Sequence, residues 1–121
     1  MINHQKIKKI IQKISEKIQR EYQPEKIILF GSYAWGKPDM HSDIDIFIIK
    51  KTKARHIDRS IEIRRILSEE NGIFPMEILV YTPKEVSHRV KLGDPFIKEV
   101  ITRGKVLQGK DIQECLAKGR K

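Results

Sequence analysis

The sequence predicts an α/β (α+β) fold in which a small mixed β-sheet is flanked by helices. Three observations carry that expectation. Ile7, Ile10, Ile11, Ile14 and Ile18 recur at helical spacing. The short runs Lys26 to Phe30, Asp43 to Lys50 and Met76 to Tyr81 have the length of strands and are rich in apolar, β-branched residues. Helical segments alternate with those runs in the order α-β-α-β-α-β-α-α, with room for one more strand. This alternation does not fix the order of strands within the sheet.

The first helix is expected over residues 3–22, where Lys and Gln between the isoleucines make it amphipathic, and Pro24 ends it. Lys26-Ile27-Ile28-Leu29-Phe30 forms a strand that stops at Gly31. Ser32 to Gly36 reads as one helical turn, and Lys37-Pro38-Asp39-Met40-His41-Ser42 as a loop. Asp43 to Lys50 is the second strand, with Ile44, Ile46, Ile48 and Ile49 as its inner set. Residues 54–70 read as a single helix with Ile57, Ile61, Ile66 and Leu67 on or near one stripe, closed by Asn71-Gly72. Met76 to Tyr81 is the third strand. Thr82-Pro83-Lys84-Glu85 is a capping box with Pro at the first helical position, so a helix starts there. Asp94-Pro95 caps another, which runs to Arg103 and ends at Gly104. Lys105-Val106-Leu107 adds an edge strand, and the basic tail after Leu116 is expected to fray.

At 121 residues the chain is expected to form one domain spanning 1–121. A hydrophobic fraction of 39% beside 34% charged residues argues for a folded, soluble chain rather than a disordered one. No apolar run approaches the roughly 20 residues that cross a membrane. Met1 to Lys6 shows no apolar leader core, and Cys115 is the single cysteine, which excludes an internal disulfide; a cytoplasmic location is expected. The net charge of +9 is uneven. Residues 50–65 carry seven Lys/Arg against two acids, whereas residues 24–49 carry two Lys against four acids. Acids therefore gather around Asp43 and Asp45, with basic stretches on either side. Such a balance favours polyanionic ligands, nucleotides and RNA among them; on charge alone, a solvated lysine-rich surface is the plainer reading.

Successive side chains on a strand face opposite sides, so Asp43 and Asp45 point one way while Ile44, Ile46 and Ile48 face the core. Adjacent carboxylates repel, and each favours protonation of the other. A cation between them removes that penalty, and hard divalent ions such as Mg²⁺ take one or two carboxylates plus substrate phosphates. Asp-x-Asp alone is common, and two solvated aspartates at a strand start are the alternative. Gly31-Ser32 adds weight. A glycine between a strand and a helical turn lets phosphate approach the backbone, the turn offers free amides, and the Ser32 hydroxyl can donate to a phosphate oxygen.

Gly31-Ser32, ten residues, then Asp43-x-Asp45, set within Gly31-Ser32-Tyr33-Ala34-Trp35-Gly36 and Ser42-Asp43-Ile44-Asp45, resembles the signature of the minimal nucleotidyltransferases of the DNA polymerase beta-like superfamily. The resemblance covers residues 5–108 or so and implies a polymerase beta-like palm fold. It implies a nucleoside triphosphate, here expected to be ATP, bound with two Mg²⁺ ions, and transfer of the nucleoside monophosphate to a hydroxyl with release of pyrophosphate. It also implies a third carboxylate on a later strand. The only acid in Phe74 to Tyr81 is Glu77, so Asp43, Asp45 and Glu77 are the expected catalytic and metal-binding set; the alternative for Glu77 is an edge-strand glutamate that faces solvent. Gly31 and Ser32 are expected to cradle the nucleotide, and Lys37 to reach its triphosphate. The family usually has Asp where Glu77 stands. One extra methylene moves the carboxylate by about 1 Å, and misplacement on that scale lowers rates about 100-fold. Trp35 and Tyr33 are expected to pack the short helix, with stacking on a base the alternative for Trp35. His41 is expected to be a plain loop histidine, with a place beside the metal as the alternative, and Cys115 is given no role.

Larger members of the family carry a further domain for the acceptor. Stand-alone members resemble antitoxins paired with a helical, RNase-like HEPN toxin, and some add AMP to a tyrosine of that partner. A HEPN-type partner is therefore the expected acceptor. The alternatives are a binding module that acts by complex formation without catalysis, and transfer to RNA or to a small hydroxyl compound.

Overall fold

A computed structural model describes residues 4–39 and 42–109. The chain runs α1 (His4–Tyr22), β1 (Lys26–Phe30), α2 (Ser32–Trp35), β2 (Ile44–Ile49), α3 (His56–Ile66), α4 (Ser68–Asn71), β3 (Met76–Tyr81), α5 (Pro83–Lys91), α6 (Pro95–Arg103) and β4 (Lys105–Gly109). The strands form one mixed sheet in the order β3-β2-β1-β4. β1 is antiparallel to both β2 and β4, and β2 is parallel to β3. His41, Cys115 and the tail after Leu116 lie outside the described residues. Among those described, no helix is long and apolar enough to cross a membrane.

Helices cover both faces of the sheet. α1 buries Ile7, Ile11, Ile14 and Ile18 against Ile27 and Leu29 of β1 and Ile44, Ile46 and Ile48 of β2. Its register follows the 3.6-residue period, and it stops where Gln23 turns left-handed (φ 51) ahead of Pro24. On the other face, Ile28, Phe30, Phe47 and Ile49 pack against Val86 of α5 and Ile97 and Val100 of α6. Ile49 therefore faces away from Ile44, Ile46 and Ile48, as the two-residue period requires. α5 starts on the expected capping box, with Glu85 N–H donating to Thr82 Oγ1 (3.1 Å) and Thr82 N–H to Glu85 Oε1 (2.7 Å). α6 starts on Asp94, whose Oδ1 accepts from the Phe96 and Ile97 amides.

The segment 54–70 differs from the expectation. It breaks at Leu67 (φ −100°, ψ 25°) into α3 and α4. Ile57 and Ile61, expected on the core stripe, are 62% and 48% exposed, while Arg59, Ile63 and Leu67 are buried. Arg59 explains the rotation. Its Nε donates to Ala54 O (2.8 Å), and its Nη1 to Val80 O (3.3 Å) and Glu85 Oε1 (2.7 Å). A guanidinium that caps a strand carbonyl and pairs with a helix-capping carboxylate takes the inward position, while two half-exposed isoleucines each forgo about 1 kcal/mol of burial.

Burial alone would push the Glu85 carboxyl up. The hydrogen bond from Arg59, the Thr82 amide, and the Arg59 and His56 charges prevail and hold it below its ordinary 4.5. The pair's stabilisation is thus fully present above pH 4.5 and is lost as pH falls through the lower folded value. Arg59→Ala is expected to lower stability by about 2–4 kcal/mol at pH 7 and to flatten the acid limb of the stability profile. Urea melts between pH 3 and 7 measure both effects.

Candidate active site

The strand directions bring three chain segments to one end of the sheet: the end of β1 and the starts of β2 and β3. Phe30 pairs with Asp45, and Asp45 with Glu77, so one row of residues crosses three strands. Residues directly opposite in a sheet share a face. Asp45 and Glu77 therefore project from the same side, beside the ring of Phe30. β2 begins one residue later than the sequence suggests. Asp43 stands just before it, exposed, and the Ile44 amide donates to Pro75 O (2.9 Å), tying the start of β2 to that of β3.

Asp45 is half-buried, and its carboxyl is raised from an ordinary 3.8 to about 6. Burial contributes most, followed by the charges of Glu77 and then Asp43. Gly31 presses on the same group. It has a positive φ of 76°, and an added Cβ would run into the Asp45 carboxylate. Gly31 O accepts from the Ala34 and Trp35 amides (2.9 and 3.0 Å), which starts α2 and leaves its leading amides outside the helical bonding pattern. The Gly-Ser turn and the two aspartates thus meet in space, with Glu77 alongside.

Asp43 and Glu77 line a hollow of about 370 Å³ with Ser60 and Arg64 of α3, over Ile63, Met76 and Ile78. Ser32 lines a different hollow of about 540 Å³, between α1, α2 and β4, with Lys8, Gln12 and Lys105. Lys37 is exposed at the head of the loop after α2. Tyr33 packs on the α1 side and Trp35 on the α6 side, as expected, and the Arg103 guanidinium lies 5.1 Å from the centre of the Trp35 ring. Among the described residues, no three His, Cys, Asp or Glu side chains are already drawn together as a metal cluster. The donor set nonetheless suits Mg²⁺. It consists of carboxylate oxygens, and ionising Asp45 is opposed by burial and by two like charges, a penalty that a cation removes.

Ser60 and Arg64 are absent from the sequence-based site. They sit one position along from the buried Arg59 and Ile63, and reading Ile57 and Ile61 as the core stripe turned them away from β3.

The family described as "Polymerase beta, Nucleotidyltransferase" matches residues 12–113. The chain belongs to this family. It is 38% identical over 89 residues to MJ1305 of Methanocaldococcus jannaschii, provisionally named a protein adenylyltransferase; the match covers 70% of this chain and 58% of that relative's length. Among solved structures, it resembles a provisionally named nucleotidyltransferase from Sulfolobus solfataricus (TM-score 0.61, 18% identity, 90% of this chain and 86% of that one). It also resembles a chain of a toxin–antitoxin structure with AMP-PNP (TM-score 0.60, 25% identity, 90% and 83%). A third likeness is to a chain from the complex of tri-AMPylated Shewanella oneidensis HEPN toxin with MNT antitoxin (TM-score 0.52, 20% identity, 98% and 84%). The nucleotidyltransferase architecture is thus shared, with Gly31, Asp43, Asp45 and Glu77 at its sheet end.

Protonation of Asp45 favours the folded state. Its contribution is fully present below pH 3.8 and is lost as pH rises through about 6. Asp45→Asn is expected to stabilise the metal-free protein by about 1 kcal/mol at pH 8, after allowance for solvent screening, and to make no difference at pH 4. Thermal melts across that range test it. Gly31→Ala is expected to be destabilising at every pH, because both the positive φ and the Asp45 contact penalise a side chain.

Proposed function

We propose that this protein is a Mg²⁺-dependent nucleotidyltransferase that moves AMP from ATP to a hydroxyl of a helical HEPN-type partner in the cytoplasm, and so acts as that partner's antitoxin. The observation that carries this reading is Asp45, half-buried beside Gly31 with Glu77 and Asp43 nearby: a place where ionisation is opposed and a cation would relieve the opposition. The name of MJ1305 supports protein adenylylation. The structures with AMP-PNP and with an AMPylated HEPN toxin support ATP as donor and a HEPN protein as acceptor.

The sheet order suits a two-sided transfer. Gly31 adjoins Asp45 on the β1 side, and with Ser32 and Lys37 in the turn and loop that follow it would receive the triphosphate. Glu77, on β3 and on the same face as Asp45, receives the acceptor hydroxyl. Asp43, Asp45 and Glu77 would hold the cation. When bound, Mg²⁺ offsets the triphosphate charge and acidifies the acceptor hydroxyl. Glu77 takes the hydroxyl proton. The acceptor oxygen forms its bond to the α-phosphorus, the bond from that phosphorus to the bridging oxygen breaks, and pyrophosphate leaves toward the α2 amides and Lys37.

Incubation with ATP labelled at the α-phosphate, Mg²⁺ and a HEPN protein from the same source tests the reading. Label is expected on the HEPN protein, and it should disappear with a chelator or with Asp43→Ala. Glu77→Gln is expected to slow transfer by about 100-fold while leaving ATP affinity nearly unchanged. A tight complex without label would favour an antitoxin that works by binding alone. Label confined to RNA or to a small hydroxyl compound would reassign the acceptor.

A further inference from the structure

Phe96 is an aromatic side chain that the fold leaves out of its core. Its neighbours on the buried stripe of α6, Ile97 and Val100, are 1% and 0% exposed, whereas Phe96 is 40% exposed. Its position is nevertheless fixed. Asp94 accepts from its amide at 2.9 Å, and its ring stands edge-on to Phe30, 5.5 Å between centres and 81° between planes. A second edge contact, to Phe47, is at 6.4 Å. Phe30 is the direct cross-strand partner of Asp45. The half-exposed ring is therefore held one residue away from the carboxylate row, on the same face of the sheet.

The side on which it lies matters. Phe96 stands over β1, next to the strand end that leads into Gly31, while Glu77 and the hollow shared with Ser60 and Arg64 lie across β2 on β3. A flat apolar ligand beside the Gly-Ser turn belongs to the molecule whose phosphates occupy that turn. We propose that Phe96 is the platform on which the nucleobase of the donor nucleotide stacks. This rests on the nucleotidyltransferase reading above and adds a positioning residue on α6. Phe30 and Phe47 meet the Phe96 ring at steep angles, 81° and 61°, and the residue stays 40% exposed, so ring surface remains open to a ligand. Stacking is tolerant of base identity because every base presents a π-face. Such a platform adds affinity for the nucleoside part and none for the phosphates.

Calorimetric titration of the full chain with Mg²⁺ and α,β-methylene-ATP, which is uncleavable at the bond to be broken, tests this against inorganic tripolyphosphate as the base-free ligand. Phe96→Ala is expected to weaken the ATP analogue about tenfold and to leave tripolyphosphate unchanged; Phe96→Trp is expected to retain or improve binding of the analogue. Equal losses for both ligands would overturn the proposal, since Phe96 would then only brace Phe30. Unchanged binding of the analogue by Phe96→Ala would also overturn it, and would leave the nucleotidyltransferase reading intact. Failure of the unsubstituted chain to bind either ligand would remove both.

Discussion

A half-buried carboxylate flanked by two others is the constraint around which this fold is organised. Asp45 loses hydration and gains like-charged neighbours, both of which oppose its ionisation. Only a stiff frame keeps it from swinging into solvent. The frame is the β1–β2 pair, buried on both faces: Ile27, Ile28, Ile46 and Ile48 are at 0% exposure and Phe47 at 1%. Because side chains alternate along a strand, slipping β2 by one residue would drive Asp45 into the α1-side core and turn Ile44 and Ile46 outward. The packing that stabilises the sheet therefore also fixes the direction of the carboxylate.

The same frame separates two sides of the site. β2 lies between β1, which leads into the Gly31 turn, and β3, which carries Glu77. The wall on the β3 side depends on α3, whose rotation is set by Arg59. Burying Arg59, Ile63 and Leu67, each four residues on from the last, leaves Ser60 and Arg64 as the adjacent stripe beside Glu77. Arg59 also joins α3 to the carbonyl of Val80 and to the cap of α5. That ion pair thus shapes the hollow lined by Asp43 and Glu77.

Features encoded locally were legible in the sequence. The isoleucine period of α1, the capping box at Thr82 and Glu85 and the Asp94 cap each depend on residues a few positions apart, and each appears at its expected place. Of the longer motif, Gly31 and Asp45 come together, while Ser32 lines a separate hollow. What could not be read depends on distant partners. Strand order follows from which strands share two helix-covered faces, and no local pattern records that. Hydrophobicity ranks Ile57 and Ile61 above Arg59, yet Glu85 and Val80, more than twenty residues away, decide which of them is buried. Phe96 reads as one more apolar helix residue until α6 is placed on β1.

The choice of glutamate at position 77 follows from the same geometry. β3 is an edge strand, and Glu77 is exposed where its partner Asp45 is half-buried. An aspartate there would hold its charge nearer to Asp45 and add to a repulsion that already raises that group to about 6. The longer side chain has more reach into solvent, at the cost of one more torsion to fix if it is to hold a cation. Fixing a side-chain torsion costs less than about 1 kcal/mol, a factor of a few in rate, whereas a misplacement of about 1 Å costs about 100-fold. Under the proposed function, glutamate is compatible with transfer because a flexible carboxylate on an exposed edge can adjust its reach. The rigid requirement falls on Asp45, where Gly31 on one side and the two-faced core on the other leave no such freedom.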